Sequence, residues 1–367
     1  MVYIHQHPDW PSFEVDKAEL LAPLGRVRRM QGELLGRMKS LGFELTREAE
    51  FRALTAEVIH SAAIEGEKLN PEEVRSSLAK RLGLKQAGLP TPAREVDGIV
   101  QMMLDATQNA DQEFSKERLW AWHSALFPSS WSDLRRIVVG EWRKGPMQVV
   151  SGPIGREKVH FEAPSAEHVH FEMRQFFAWV NQSGDEDPVL ASAIAHLWFV
   201  TIHPFDDGNG RIARAISDLF LTRADGNSQR FYSLSSQLER ERQDYYDQLE
   251  QAQKGGLNIT PWLLWYLGCL ERAFAGADQL LEKVLRKARV WDLLNKRPVN
   301  DRQRMMINRL LEDFQGKLTS KKYAKIAKCS RDTAIRDLQD LIKRGAILQS
   351  KEGGRSTSYE LAPIDDH

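Results

Sequence analysis

The sequence predicts a mainly α chain, interrupted by one β-hairpin and closed by a small, separately charged module. Three observations predict it. Apolar residues recur at three- and four-residue spacing over most of the chain, which is the helical period. One stretch, residues 140–169, is rich in Gly, Pro and Val and holds two short β-like runs, MQVV and VHFE. Residues 301–361 carry 14 Lys+Arg against 8 Asp+Glu, a local excess of six positive charges in a chain whose 51 basic and 51 acidic residues balance.

The elements follow in order. KAELLAPLGRVRRMQGELLGRMKSLG reads as a helix closing on Gly42, and REAEFRALTAEVIHSAAIEGEKLN as a second. NPEEVRSSLAKRLG opens a third, with Asn70 as cap and Pro71 at the first helical position. LKQAGLPTPA is a connector, after which helical periodicity runs to about residue 127. The hairpin comes next. Helix then returns from HVHFEMRQFFAWVN to about residue 290. The basic end holds three short helical patterns and a Gly-rich hairpin signal. The expected domains are 1–110, 111–290 and 291–367.

At 367 residues the chain is long enough for two or three domains, and 42% hydrophobic residues suffice for a real core. Cys269 and Cys329 lie far apart and fit no metal spacing, as in a reducing compartment. No apolar run approaches the ~20 residues of a membrane span. The N-terminus lacks the basic start and apolar stretch of a secretion signal. The expectation is a soluble cytoplasmic protein without a membrane partner.

One turn between two apolar helical patterns concentrates chemistry: HPFDDGNGRIAR, His203 to Arg214. Pro204 and the Asp-Gly and Asn-Gly pairs break the helix. Gly208 and Gly210 let successive N–H groups converge on an anion, and the following helix N-terminus adds partial positive charge. Arg211 and Arg214, three apart, can both face that point, and their forks match phosphate oxygens. Asp207 suits Mg²⁺ held between phosphates. His203 is the natural proton acceptor near neutral pH. Phe205 reads as a core anchor and Asp206 as solvated. These residues describe a nucleotide polyphosphate site with a general base; the competing reading is a capped, solvated turn.

The stretch resembles the Fic-family signature, His-Pro-Phe-x-Asp/Glu-Gly-Asn-Gly-Arg-x-x-Arg, at every specified position. The resemblance implies a Fic-type helical bundle that transfers AMP from ATP to a Ser, Thr or Tyr hydroxyl of a protein, with Mg²⁺. By position, His203 would be the base and Asp207 the Mg²⁺ ligand. Gly208, Asn209, Gly210 and Arg211 would cradle the α- and β-phosphates and Arg214 the γ-phosphate, with Ile212 and Ala213 completing the ATP-binding stretch. Phosphorylating relatives carry Lys at the position of Gly210, which favours AMP transfer here.

The similarity extends further. QVVSGPIGREKVHFEAP resembles the family's flap, which holds a target segment as an added strand along Gln148, Val149 and Val150. YYDQLEQAQKG resembles the adenosine-binding helix and implies contacts from Tyr245, Tyr246 and Gln253, although relatives often have Asn at the position of Gln253. SAAIEG resembles the inhibitory motif Ser/Thr-x-x-x-Glu-Gly/Asn. It implies that Glu65 pairs with Arg214 and blocks the γ-phosphate, with Ser61 orienting the carboxylate and Gly66 completing the motif. Its competing reading is a solvated helix end. HQHPDWPSF and the helices after it look like the N-terminal extension of a bacterial Fic subfamily that also ends in a winged helix.

That end, TSKKYAKIAKCSRDTAIRDLQDLIKRGAILQSKEGGRSTSYEL, resembles a winged helix-turn-helix. SKKYAKIAK would be its first helix, SRDTAIRDLQDLIKRG the recognition helix and ILQSKEGGRSTSYEL the wing. Lys321, Lys322, Arg331, Arg336 and Arg355 are candidates for DNA phosphates; a protein contact or a homodimer is the alternative. Three functional classes therefore stand: an adenylyltransferase, self-modification included; a DNA-binding regulator whose Fic domain only senses nucleotide; and the same enzyme run in reverse, removing AMP.

Overall fold

In the computed structural model, the structure describes residues 2–84, 90–132, 135–152, 156, 158–182, 184, 186–295, 298–311, 314, 316–350 and 357–363. The central part of the LKQAGLPTPA connector, the tip of the 148–162 hairpin, Arg355 and the tip of the C-terminal hairpin lie outside these residues. The chain forms two compact units, Met1–Ala277 and Asp278–His367.

The first unit is helical. After a short 3₁₀ turn (Ile4–Gln6) come α1 (Lys17–Lys39), α2 (Phe43–Ile64), α3 (Pro71–Arg81), α4 (Arg94–Gln108) and α5 (Lys116–Leu126). Asp16 caps α1 through its side chain, and Asn70 caps α3 with Pro71 in the first turn, as the sequence requires. Gly42, expected to close α1, instead caps the N-terminus of α2, which starts four residues earlier than its apolar pattern.

A two-residue ladder then pairs β1 (Trp131–Ser132) with β2 (Arg135–Arg136), too short for any period-2 signal. The expected hairpin is present as antiparallel β3 (Gln148–Ser151) and β4 (Lys158–Glu162). α6 (Ala166–Gln182), α7 (Pro188–Ile202), α8 (Asn209–Asp225), α9 (Leu234–Arg240), α10 (Arg242–Gln253) and α11 (Thr260–Asn295) follow. α7 begins with Asp187 accepting from Val189 N–H at 2.8 Å and with Pro188 in its first turn. Every residue of α7 from Val189 to Ile202 is buried, as is α8 from Arg211 to Thr222. A helix apolar all round belongs inside, and α7 packs against α8 at the centre. Among the described residues no helix is long and apolar enough to cross a membrane.

The second unit, described by itself, holds the end of α11, α12 (Asp301–Leu311), α13 (Ser320–Ile326) and α14 (Arg331–Lys343). β5 (Leu318–Thr319), β6 (Ile347–Gln349) and β7 (Ser358–Leu361) form an antiparallel sheet in the order β5-β7-β6. Its core joins Val290, Met306, Leu318, Tyr323, Leu338 and Ile347. Buried Asp337 accepts from Arg302, Asn300 and Tyr323 and ties three segments together. Lys321, Arg331 and Arg336 are exposed, while the Lys322 ammonium lies 4.3 Å from the centre of the Phe314 ring.

α4 and α5 meet at a position that admits only glycine. A Cβ on Gly98 would fall 1.7 Å from the Ala125 carbonyl oxygen, a backbone atom with nowhere to go. Gly98→Ala is therefore expected to destabilise the chain by about 2–3 kcal/mol through forced separation of the two helices, read as a lower urea midpoint. An unchanged midpoint would contradict this packing.

Candidate active site

The site is built where α7 ends and α8 begins. α7 stops at His203, whose φ of 50° and ψ of 58° are left-handed, a conformation costly for a residue with a Cβ. Its N–H still donates to the Phe199 carbonyl at 2.9 Å. The strain is held by a buried residue that the signature does not include. Arg143 donates Nε–H to the His203 carbonyl (2.8 Å) and Nη1–H to Gly145 (2.8 Å). Its Nη2 reaches the Pro164 and Ile202 carbonyls, and its main-chain N–H donates to Pro204.

The His203 ring sits with Nδ1 3.1 Å from the Val200 carbonyl. A carbonyl only accepts, so Nδ1 carries the proton and Nε2 is left as the acceptor. Burial pushes the imidazole below its ordinary pKa, and the Arg143 guanidinium adds to the effect against the opposing pull of Glu65 and Asp207. The ring is therefore neutral near pH 7.

The rest of the loop is stapled. Phe205 is fully buried and stacks on His123, ring centroids 4.0 Å apart and 6° from parallel. The Asn209 amide grips the Phe205 main chain from both sides, at 3.0 and 2.9 Å, so its side chain serves the loop itself. Asp206, expected to be solvated, accepts from Val138 N–H at 3.1 Å and is half-buried. Gly208 has φ +79°, and a Cβ there would meet the Phe127 ring at 2.8 Å, so glycine is required twice over. His123 accepts from Gly140 N–H and donates to the Asp207 carbonyl.

The two signature arginines are both buried. Arg214 donates Nε–H to Ser61 Oγ (2.9 Å) and Nη2–H to the Ser61 carbonyl (2.8 Å) and Glu65 Oε1 (2.7 Å). Ser61 thus holds the arginine, not the carboxylate, contrary to the expectation from its motif. Arg211 donates to Glu67 Oε1 at 2.8 Å and lies over the Phe127 ring. Arg211 Nε and Arg214 Nη1 are buried and have no hydrogen-bond partner among the described residues. Glu65 crosses the first turn of α8 so closely that a Cβ on Gly210 would fall 2.1 Å from its Oε1.

The end of α2 explains how one segment delivers both acids. Glu65 is the C-cap, Gly66 is left-handed at φ +87°, and Glu67 N–H returns to the Ala62 carbonyl while Gly66 N–H bonds Ala63. This is the Schellman stop, and it turns Glu65 and Glu67 toward α8 together.

Asp207 has one carboxylate oxygen on Gly208 N–H and the other on the Ser132 hydroxyl. Among the described residues no three His, Cys, Asp or Glu side chains gather as a metal site. A lone carboxylate fits Mg²⁺ when phosphate oxygens supply most of the shell. Ile212 and Ala213 are fully buried, which leaves only their main chain for a nucleotide. Tyr245 is core, its hydroxyl on His196 Nε2 at 2.7 Å. Tyr246 donates to the Ile64 carbonyl, and buried Gln253 faces the Val200 carbonyl. Gln148 and Val150 are exposed on β3, with Val149 half-buried.

Residues 113–221 match the family model described as the Fic/DOC family, and residues 3–84 match one described as a domain of unknown function, DUF4172. A protein adenylyltransferase Fic of Aedes aegypti is 27% identical over 231 residues, which is 62% of this chain and 42% of that protein. Another of that name, from Nematostella vectensis, is 34% identical over 111 residues, 30% of this chain and 24% of that one. The chain thus spans less than half the length of these curated relatives. A solved Fic family protein of Desulfovibrio desulfuricans shares the fold, with a TM-score of 0.55 and 24% identity over 97% of this chain and 99% of that one. A Fic domain containing signaling protein of Bacteroides thetaiotaomicron does so at 0.54 and 20%, over 70% of this chain and 97% of that one.

The buried imidazoles around this site make stability pH-dependent. Burial lowers His123 from 6.5 to about 4 and His196 to about 3. Both are neutral when folded, and the unfolded chain takes up their protons first. Their contribution is full above about pH 6.5 and is lost as pH falls toward 4, at up to about 1.4 kcal/mol per pH unit for each. The urea midpoint should fall over that range, and less steeply in a His123→Gln variant. A flat midpoint from pH 7 to 4.5 would contradict the neutral core imidazoles.

Proposed function

From the match of residues 113–221 to the Fic/DOC family model, we propose that the chain transfers AMP from ATP to a hydroxyl of a protein, and that Glu65 restrains the transfer. The observation that carries the reading is the pair of buried, unpartnered guanidinium N–H groups, Arg211 Nε and Arg214 Nη1, at the N-terminus of α8 beside a neutral histidine. Donors buried without an acceptor are costly unless a ligand supplies one. A polyphosphate supplies several, at a helix end already suited to anions. The curated relatives' shared name, protein adenylyltransferase Fic, supports the same class of reaction.

His203 Nε2 would take the proton of the target Ser, Thr or Tyr hydroxyl as its oxygen attacks the α-phosphorus and pyrophosphate leaves. The Val200 carbonyl keeps Nδ1 protonated, so the accepting nitrogen is always Nε2. Arg143 holds the histidine main chain in its left-handed bend. Asp207 is the residue that would hold a Mg²⁺ ion, which would supply charge neutralisation between phosphates. The flap strand β3 offers Gln148, Val149 and Val150 for pairing with the target segment.

Restraint follows from the two acids. Glu65 engages the Arg214 group expected to receive the γ-phosphate, and Glu67 engages Arg211. A terminal phosphate and the Glu65 carboxylate would compete for the same guanidinium and repel each other.

ATP labelled on the α-phosphate, given to the purified chain with Mg²⁺ and a cell extract, should mark extract proteins. Glu65→Gly should raise that labelling at least tenfold. His203→Ala in the same background should lower it by about 10²–10⁴, the value of a positioned base, with ATP binding intact. Equal labelling with and without His203 would refute the mechanism. Labelling absent from every variant would favour a nucleotide sensor. Release of AMP from modified proteins by the wild type alone would assign the reverse direction.

A further inference from the structure

α2 meets α8 at a second place, one turn deeper than the Ser61 and Glu65 grip on Arg214. Asp218 lies one turn after Arg214 on α8, and Glu57 one turn before Ser61 on α2. Both carboxyls are buried and stand within hydrogen-bond reach of each other. Glu57 Oε2 accepts from the Ser233 hydroxyl (2.7 Å) and the Ser235 N–H (3.1 Å), and Asp218 Oδ1 accepts from Arg230 Nη2 (2.6 Å). The oxygens left over, Glu57 Oε1 and Asp218 Oδ2, have no donor among the described residues. Two ionised carboxylates here would repel each other and leave two acceptors buried and unsatisfied. One proton removes both costs, because a protonated carboxyl donates to its neighbour. Burial first, and then Glu57, push the Asp218 carboxyl well above the usual carboxylate range against the pull of Arg230. The other groups around the pair do not replace that proton. Arg230 is shared with Asp225 (3.3 Å), which also accepts from Tyr232 and Gln31. Tyr232, with Tyr266 and Cys269 of α11, faces the cluster, and burial keeps all three neutral.

We propose that Glu57 and Asp218 form a proton-dependent latch: one shared proton holds α2 against α8 and so keeps Glu65 on Arg214, and loss of that proton frees α2. Its effect on transfer rests on the reading above in which Glu65 restrains the reaction, whereas the latch itself belongs to the chain without nucleotide. α2 runs unbroken from Glu57 to Ile64, and Glu65 is its C-cap. Separation at Glu57 is therefore carried along the helix to Glu65. The latched state holds one proton more than the released state, in which Asp218 returns toward its ordinary value of 3.8. Release is thus insensitive to pH below about 4 and becomes up to tenfold easier per pH unit as pH rises above it. It levels off once pH passes the raised value of the latched carboxyl. Acid strengthens the restraint and alkali relieves it.

Two readouts on the full chain test this. Hydrogen exchange at the amides of residues 57–64, without nucleotide and corrected for the intrinsic pH dependence of exchange, reports the opening of α2. Between pH 5 and 9 the wild-type opening constant should rise at least tenfold relative to that of α14 in the second unit. Asp218→Asn and Glu57→Gln each put an amide N–H₂ where an orphan oxygen stands. Either amide donates to the facing carboxyl with no proton to lose, so each variant should abolish the rise. A flat wild-type profile, or a rise that survives both substitutions, would overturn the latch, and the wild-type profile decides even where one variant fails to fold. Separately, protein labelling from α-phosphate-labelled ATP with Mg²⁺ should grow more with pH in the wild type than in Asp218→Asn, which keeps the same His203 and Glu65. Equal labelling profiles beside a pH-dependent α2 would overturn the link from the latch to Glu65. Labelling absent from every variant would tell against the transfer reading, and the exchange readout would still decide the latch because it uses no nucleotide.

Discussion

The first unit is organised around one requirement: the guanidinium of Arg214, about 1% exposed, has to be paired inside the core. An unpartnered charge at that depth costs several kcal/mol, and removing one partner of such a pair typically costs about 3–5 kcal/mol. α2 meets the requirement by ending on α8. Ser61 supplies a hydroxyl and a carbonyl, and Glu65 the countercharge. The glycine stop at Gly66 then folds Glu67 onto Arg211. The resting chain is thus stabilised by the contacts that an anion at the helix N-terminus would have to replace. On the proposed reading, stability of the ground state and access to the site are opposed through the same two arginines, whose Arg211 Nε and Arg214 Nη1 have no hydrogen-bond partner among the described residues.

His203, the proposed base, is held by a different constraint. A left-handed histidine persists only where its surroundings over-determine it. Here that role falls to Arg143, which gathers the carbonyls of residues 145, 164, 202 and 203, with Asn209 stapling Phe205 one turn later. The strain turns the ring out of α7 while the helix C-terminus fixes its tautomer. The same residues thus set where Nε2 points and that it is unprotonated.

What was legible in the sequence is what acts locally. HPFDDGNGRIAR specifies its own turn, because the glycines, the proline and the Asn209 amide on the Phe205 main chain impose geometry on neighbours a few residues away. The pairing of Glu65 with Arg214, 149 residues apart, is implied only by the resemblance of SAAIEG to the family's inhibitory motif, and Ser61 grips the arginine rather than the acid. Arg143 was not legible, since its partners are main-chain carbonyls and carry no residue-type signal. Glu67 sits 144 residues from Arg211, a distance over which only the fold brings charges together. Tyr245 illustrates the converse. The resemblance of YYDQLEQAQKG implies a ligand contact from Tyr245, whereas the structure places its hydroxyl on buried His196.

The central claim is that Glu65 and a nucleotide phosphate compete for Arg214. Isothermal titration of ATP with Mg²⁺ into the wild type, Glu65→Gly and Glu65→Gly/Arg214→Ala tests it most directly. The account predicts that Glu65→Gly binds at least tenfold more tightly than wild type, about 1.4 kcal/mol, and that the gain disappears when Arg214 is also removed. Equal affinity in the wild type and Glu65→Gly, or a gain that survives loss of Arg214, would contradict it.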